Sequence, residues 1–275
     1  MTMTSADTID QRTFRKFCDL IYEKAGIKLG PQKEALVSAR VGKRMRSLGI
    51  DEFDAYYEYV ERDETGGELV ELLNAISTNV THFFRESRHF ELLEQIVQKW
   101  AGEGQERFRI WCAASSTGEE PYSIAITLRQ TLEDLRDVKI LATDLSTKVL
   151  AVARAGIYET KHVENLPAAV LARHFTTHRD LGKGKTYAIQ DELKRMLTFA
   201  RLNLAQPPFP MSGPFDVVFC RNVMIYFDND VRRRLLAEAY RLLRPGGYLM
   251  VGHAESLSGM LSEFQSVEPS VYIKS

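Results

Sequence analysis

The chain has 275 residues, of which 44% are hydrophobic and 27% are charged, and its net charge is −1. This is the composition of a globular protein with one large domain or two ordinary ones, and the charge balance excludes a general attraction to nucleic acid or anionic membranes. The apolar runs are too short to span a bilayer, and the polar first residues do not form a secretion signal. We therefore expect a cytoplasmic monomer that neither binds nucleic acid nor inserts into a membrane.

The first 78 residues have the apolar spacing of helices. Apolar side chains recur every three to four residues over Phe14–Tyr22 and Val37–Leu48, and a further helical segment covers residues 69–78. Glycines separate these segments. We predict a small all-α domain over residues 1–78.

Strands and helices alternate from residue 88 onward. The predicted helices cover residues 88–99, 120–132, 146–155 and 230–243. The predicted strands cover residues 108–114, 139–143, 196–202, 215–220, 248–252, 264–268 and 271–274. This order predicts an α/β domain with a doubly wound, Rossmann-like sheet over residues 88–275. Residues 160–195 break the alternation with a short helix and a polar hairpin, which indicates an inserted small antiparallel β-subdomain.

The segment Trp111–Tyr122, together with Asp144, indicates a ligand site. An apolar strand breaks into a loop of small residues, a helix follows at once, and the next strand ends in an acid that could accept hydrogen bonds from a ribose. The loop has one glycine, Gly118, whereas a dinucleotide fingerprint has three around the pyrophosphate. We interpret the unit as a site for S-adenosylmethionine rather than NAD. A buried β-α-β unit without a ligand is the alternative.

Three further segments follow strands at the same predicted edge of the sheet. They are Arg201–Leu204, Cys220–Phe227 and His253–Ser256. The amide of Asn203 could contact an adenine edge, and Tyr226 follows the strand where a transferase would face its substrate. Alternatively, Asn203 and Asn222 are turn formers and Tyr226 is a packed aromatic residue.

Residues 79–87 form a linker with an unusual combination of side chains. Two aromatic residues stand next to Arg85. We predict a lid that closes over the cofactor, with Arg85 binding a carboxylate through its two-pronged guanidinium group. The alternative is an interdomain hinge in which Arg85 pairs with Glu86 or with another surface acid.

The cysteines and histidines do not have the spacing of a metal site. The three cysteines are widely separated, and His174 and His178 are the one histidine pair at helical spacing. We predict buried free thiols, a surface histidine pair and no bound metal.

The chain carries three motifs in a fixed order, Asn79-x-Thr-x-Phe-Phe-Arg-Glu86, Ala114-Ser-Ser-Thr-Gly-Glu-Glu-Pro-Tyr-Ser123 and Phe219-Cys-Arg-Asn-Val-Met-Ile-Tyr-Phe227. In these motifs it resembles the CheR-type chemotaxis receptor methyltransferases, and the resemblance covers nearly the whole sequence. The resemblance implies methyl transfer from S-adenosylmethionine to glutamate side chains of membrane chemoreceptors, which yields methyl esters and S-adenosylhomocysteine.

The resemblance also implies the residues of the site. The expected cofactor contacts are Asn79, Thr81, Arg85, Ala113, Ser115, Gly118, Glu119, Glu120, Asp144, Asn203, Leu204, Arg221 and Asn222. Of the two loop acids, Glu120 is favoured as the direct contact. The resemblance also assigns reaction-supporting roles to Arg85 and Tyr226. Methyltransferases that act on amines often carry Asn/Asp-Pro-Pro-Tyr after the fourth strand, and Asn222–Tyr226 departs from that pattern.

A basic helix is the expected docking element for the receptor. Its charges are Arg40, Lys43, Arg44 and Arg46. They would attract the acidic methylation helices of receptors, although a solvated helix face is the alternative. Some family members grip a receptor C-terminal pentapeptide with the inserted subdomain. Because the turn at residues 181–185 is short, we expect no such tether in this chain.

Two other classes of function compete with this one. A methyltransferase acting on RNA or DNA is supported by the basic helix alone, and the balanced charge speaks against it. A non-catalytic sensor of S-adenosylmethionine would share the cofactor site without transferring a methyl group.

Overall fold

The structure is a computed structural model that describes residues 9–77, 79–180, 184–255, 257, 260 and 263–275. Its α-helices, in chain order, are α1 (Gln11–Ala25), α2 (Glu34–Leu48), α3 (Phe53–Arg62), α4 (Gly67–Ile76), α5 (Arg88–Gly102), α6 (Glu119–Thr131), α7 (Thr147–Ala155), α8 (Thr160–Val163), α9 (Ala168–His174), α10 (Asp191–Lys194) and α11 (Asn229–Leu242). Its strands are β1 (Phe108–Cys112), β2 (Val138–Asp144), β3 (Ile157–Glu159), β4 (Phe175–Asp180), β5 (Gly184–Ile189), β6 (Leu197–Arg201), β7 (Phe215–Cys220), β8 (Leu243–Val251), β9 (Phe264–Glu268) and β10 (Val271–Lys274).

Helices α1 to α4 enclose a core of their own. Asp10 caps α1 by accepting hydrogen bonds from two backbone N–H groups of its first turn, and Gly26 ends the helix in the left-handed conformation. The apolar stripes meet around Phe17, Val41 and Leu72, each of which is fully buried. The predicted all-α architecture of this part of the chain is therefore confirmed.

A seven-stranded sheet follows, in the order β6-β2-β1-β7-β8-β10-β9. Strands β6, β2, β1, β7 and β8 run parallel, and β10 pairs antiparallel with β8 and β9. The order reverses between β1 and β7, and ligands bind at such a switch point in open α/β sheets. The predicted doubly wound, Rossmann-like fold is confirmed.

The central strands are buried on both faces because helices cover both sides of the sheet, and alternate residues point to opposite sides. In β1, Ile110 packs into the core beneath α5 and α6, whereas Trp111 packs into the core beneath α11. In β7, Val217 packs into the first of these cores and Val218 into the second. This double burial explains why these strands read as continuous apolar runs in the sequence.

The inserted subdomain has three strands in the order β3-β5-β4, all antiparallel. The sequence indicated a hairpin within residues 160–195, so the insertion begins earlier than predicted, at β3. The short helix that the sequence indicated in this insertion is divided into α8 and α9, because Pro167 starts a new helix after a turn. The tip of the hairpin, residues 181–183, lies outside the described residues.

The predicted strand 248–252 begins earlier in the structure, directly after the helix whose end the sequence placed at residue 243. Helix α11 ends at Leu242, and β8 begins at once with Leu243. The partner strand β7 pairs with Leu243 and then again from Tyr248 onward, so the proline and glycines of residues 244–247 occupy an irregularity in the ladder. Within the described residues, we find no helix long and apolar enough to cross a membrane.

Candidate functional site

A cleft lies between the N-terminal helices and the carboxyl ends of β1, β2, β6 and β7. It holds about 1180 Å³ of space not filled by protein atoms, part of it open solvent. The structure brings eleven of the residues predicted from the sequence to its walls, namely Asn79, Thr81, Arg85, Ala113, Glu120, Asp144, Asn203, Leu204, Arg221, Asn222 and Tyr226. The N-terminal domain contributes the opposite wall, including Ile27, Lys28 and Lys33, which the sequence did not indicate.

Three of the predicted contacts lie away from the cleft walls. Ser115 and Glu119 are fully buried, and the carboxylate of Glu119 is occupied by Thr117 and His162. Gly118 has φ +100°, and a Cβ there would come within 2.7 Å of the Tyr158 hydroxyl. A glycine is thus required here by backbone conformation and by packing against the inserted subdomain.

Asp144 lies at the end of β2 and faces the cleft. Its carboxylate accepts hydrogen bonds from the backbone N–H groups of Ser116 and Ser146, each at 2.9 Å. Burial raises the pKa of Asp144 above its ordinary value, and these hydrogen bonds act in the opposite direction. The carboxylate therefore fixes the loop after β1 and retains acceptor capacity toward the cleft.

Arg221 is the centre of a buried ion-pair network. Its side chain is fully buried, and it donates to Glu120 at 2.8 Å and to Glu86 at 3.1 Å. It also donates to the backbone carbonyl of Arg85. Burial raises the pKa of Glu120, against the attraction of Arg221. Arg221 thus joins the loop after β7 to α6 and to the segment before α5, and Glu86 is a site residue to which the sequence had given no role of its own.

The segment at residues 79–87 is anchored by its two aromatic residues. The ring of Phe83 packs edge-on against Tyr158 at 5.0 Å between centroids, and the N–H of Phe84 donates to the Ser123 hydroxyl at 2.9 Å. Phe84 and Glu86 adopt positive φ values of 53° and 56°, which non-glycine residues hold only when their surroundings enforce it. The aromatic side chains therefore belong to the core of the protein and hold the segment against it.

Arg85 is half-buried on the wall of the cleft. Its guanidinium donates to the carbonyl of Val80 at 3.0 Å, and none of the ion pairs among the described residues includes it. Glu86, its partner in the hinge alternative, pairs with Arg221 instead. The guanidinium of Arg85 is thus available to a carboxylate in the cleft.

Hydrogen bonds from two further side chains, Glu255 and Asn203, hold the loops around the cleft in place. The buried carboxylate of Glu255 accepts hydrogen bonds from the backbone N–H groups of Asn222, Met224 and Gly252 at 2.7–2.8 Å and so fixes the loop after β7. The amide of Asn203 donates to the carbonyl of Lys24 at 2.6 Å. Asn203 therefore ties the sheet to the end of α1, in addition to lining the cleft.

The four charges of the basic helix, which the sequence predicted to dock the receptor, have different surroundings in the structure. Arg44 makes two hydrogen bonds to the buried carboxylate of Glu68, at 2.6 and 2.9 Å. Arg40 donates to the carbonyls of Ile76 and Ser77 at the end of α4. These two arginines stabilise the helical domain, whereas Lys43 and Arg46 are exposed.

The strand order and the cleft at the switch point are typical of α/β proteins that bind nucleotides or nucleosides. Comparison with known families narrows this class. The family model described as "CheR methyltransferase, SAM binding domain" matches residues 79–273. The model described as "CheR methyltransferase, all-alpha domain" matches residues 12–77. The chain belongs to the CheR methyltransferase family, and its cofactor is S-adenosylmethionine.

Relatives are similar over almost their whole length. A chemotaxis protein methyltransferase of Salmonella typhimurium is 38% identical over 273 residues, which cover 99% of this chain and 93% of the relative. One from Escherichia coli is 39% identical over 273 residues, covering 99% and 94%. One from Borreliella burgdorferi is 36% identical over 263 residues, covering 93% and 91%. The resemblance to CheR-type methyltransferases that the sequence motifs indicated is confirmed.

Proposed function

We propose that this protein transfers the methyl group of S-adenosylmethionine to glutamate side chains of chemotaxis receptors, giving methyl esters and S-adenosylhomocysteine. The observation that carries the proposal is the cleft at the strand ends. It combines a fixed acid, Asp144, with an arginine, Arg85, whose guanidinium is free for a carboxylate. The names of the relatives support a chemotaxis receptor as the methyl acceptor.

The polar groups of the cleft suit the parts of this cofactor. Asp144 would accept hydrogen bonds from the ribose hydroxyls, and Asn203 and Leu204 would lie near the base. Arg85 would bind a carboxylate, of the methionine moiety or of the substrate. Glu120 lines the cleft and Glu119 does not, which supports Glu120 as the acid nearer the cofactor.

The reaction requires few catalytic groups from the protein. When bound, S-adenosylmethionine supplies an electrophilic methyl group on a positively charged sulfur. A glutamate side chain has an ordinary pKa of about 4.3 and is already ionised at neutral pH, so the protein need not supply a general base. The side chains of the cleft then have to align the carboxylate and remove water from it. We assign Tyr226 to that end of the cleft.

The proposal is tested with radiolabelled S-adenosylmethionine and receptor-containing membranes. We expect label in the receptor that mild base releases as methanol, because a carboxyl methyl ester hydrolyses under these conditions. Label that resists base would indicate an amine acceptor. No incorporation, combined with normal cofactor binding, would indicate a sensor.

Asp144→Asn is expected to weaken binding of S-adenosylhomocysteine by about 1–3 kcal/mol, because a neutral amide cannot accept from the ribose and from both backbone N–H groups at once. Calorimetry measures the change, and Asp137→Asn, at an exposed position, is the matched control. Affinity equal to that of the unmodified protein would contradict the ribose assignment.

Tyr226→Phe is expected to lower kcat more than it lowers cofactor affinity, because we place the hydroxyl at the reacting end of the cleft. A loss of roughly tenfold or more is the scale for a group that acts in the transition state. Steady-state kinetics and calorimetry on the same preparation separate the two effects. Equal losses of rate and of cofactor affinity would make Tyr226 a cofactor ligand.

We propose that Lys43 and Arg46 attract the acidic methylation helices. Replacing both with alanine is expected to raise the apparent KM for receptor several-fold, with cofactor affinity unchanged. The effect should shrink with added salt, since exposed charges are screened over about 10 Å at 0.1 M ionic strength. The matched control removes two exposed charges elsewhere, at Lys99 and Arg136. An apparent KM for receptor that changes neither with salt nor with the substitution would contradict docking by Lys43 and Arg46.

The inserted subdomain is proposed to act without a tether peptide. The short turn on which this expectation rests includes residues 181–183, which lie outside the described residues. Receptors with and without a C-terminal pentapeptide should then be methylated at similar rates.

A further inference from the structure

A second cluster of polar groups lies behind the cleft. Glu86, His89 and His253 each offer one ligand atom, and these atoms lie within 4.8 Å of one another. The Oε2 atom of Glu86 is 3.6 Å from Nδ1 of His89 and 3.9 Å from Nε2 of His253. Ligands of a tetrahedral zinc ion, each about 2.0–2.1 Å from the metal, are separated by roughly 3.3 Å, so binding would draw these atoms together by up to about 1.5 Å.

His89 gives an independent indication of a ligand. Its side chain is 1% exposed, and neither ring nitrogen has a hydrogen-bond partner among the described residues. A buried imidazole without hydrogen-bond partners is unfavourable, and a metal ion would give one of its ring nitrogens a partner.

The carboxylate of Glu86 has room for one more partner. It accepts from Arg221 at 3.1 Å, from the side-chain amide of Asn222 at 3.2 Å and from the backbone N–H of His253 at 3.3 Å. Arg221 and the His253 N–H both donate to Oε2, so the open acceptor position is on Oε1, and an ion bound at Oε2 would replace the longer contact from His253.

The charge of Arg221 does not exclude a cation from this place. Its guanidinium is shared with Glu120 on the other side, at 2.8 Å, so two carboxylates face one positive group. A ligating carboxylate that is also hydrogen-bonded by a neighbouring residue is the usual arrangement around protein-bound metals. His253, with 55% of its side chain exposed, gives the ion a path from solvent.

We propose that Glu86, His89 and His253 bind a divalent transition-metal ion of the zinc class, with water completing the coordination. Imidazole and carboxylate ligands suit such an ion. Glu86 also pairs with Arg221 and Asn222, both of which line the cofactor cleft. Metal binding would therefore alter the cleft through Glu86. The site does not depend on the identity of the methyl acceptor.

The test uses the full chain, free of metal, with Zn²⁺ in calorimetry and Co²⁺ in absorption spectroscopy. We expect one equivalent to bind, with visible Co²⁺ bands of a nitrogen and oxygen site and without a thiolate charge-transfer band. His253→Ala should weaken binding at least about tenfold. His178→Ala, at an exposed histidine of β4, is the matched control and should bind as the unmodified protein does.

Two outcomes would overturn the site. One is Zn²⁺ affinity that is equal in His253→Ala and in the control. The other is a thiolate band, which would place the ion on a cysteine such as the half-buried Cys18. A further readout is the affinity for S-adenosylhomocysteine, which should change on addition of Zn²⁺ in the unmodified protein and not in His253→Ala.

Discussion

Arg221→Met is expected to lower the free energy of unfolding by about 3–5 kcal/mol, the largest stability effect that we predict for a single side chain. The substitution leaves Glu120 and Glu86 without their buried cation, and an uncompensated buried charge costs about this much. Urea denaturation followed by circular dichroism measures the change.

The pH dependence of this loss gives a second check. Without Arg221, the folded-state pKa values of Glu120 and Glu86 should rise above their values in the unfolded chain. A raised carboxyl pKa favours the folded state at low pH and disfavours it as pH rises, so the deficit should be larger at pH 8 than at pH 5.

The matched control is Arg233→Met. Arg233 pairs with Asp230 at 2.8 Å, and its side chain is 60% exposed, so a change of about 0–1 kcal/mol is expected. Similar losses in both variants, or a deficit at Arg221 that does not change with pH, would contradict the role of the buried network.

Arg85→Ala is expected to reduce methyl transfer by roughly 100-fold or more, the scale for removing one charged donor from a reacting site. Its guanidinium faces the cleft and makes a single hydrogen bond, to Val80, so the melting temperature should change little. Arg85→Lys should recover little activity, since an ammonium group cannot bind a carboxylate through two parallel hydrogen bonds.

The control for Arg85 is Arg62→Ala, which removes an exposed arginine from α3 and should leave both rate and stability unchanged. Near-normal turnover in Arg85→Lys would contradict the proposed contact between the Arg85 guanidinium and a carboxylate. A large fall in melting temperature in Arg85→Ala would show that its role is structural instead.

The sequence was most informative where one local pattern determines the structure. An apolar strand, a loop of small residues and a helix, followed by a second strand ending in Asp144, are enough to predict the parallel sheet and the edge at which the cleft lies. The polar residues after the strands then converge because parallel strands end at a common edge.

The sequence was least informative where long-range pairing decides the role of a side chain. The spacing of the basic helix could not reveal that Arg44 pairs with the buried Glu68 of α4. The order of residues around Arg85 could not reveal that Phe83 packs against Tyr158 of the inserted sheet.

The polar cluster behind the cleft was hidden from the sequence for the same reason. Glu86 and His253 are 167 positions apart, and their contact follows from how the fold brings the loop after β8 next to α5. Such contacts depend on the assembled structure and leave no spacing pattern in the chain.

The proposed methyl acceptor is a glutamate side chain of a chemotaxis receptor. The most direct measurement is mass spectrometry of receptor peptides after incubation with the protein and S-adenosylmethionine, with the Arg85→Ala variant in parallel. We expect the mass of one methyl group on glutamate residues of the cytoplasmic methylation helices, and much less of it in the variant. Methyl groups found on lysine, on nucleic acid or on no receptor residue would contradict the proposed function.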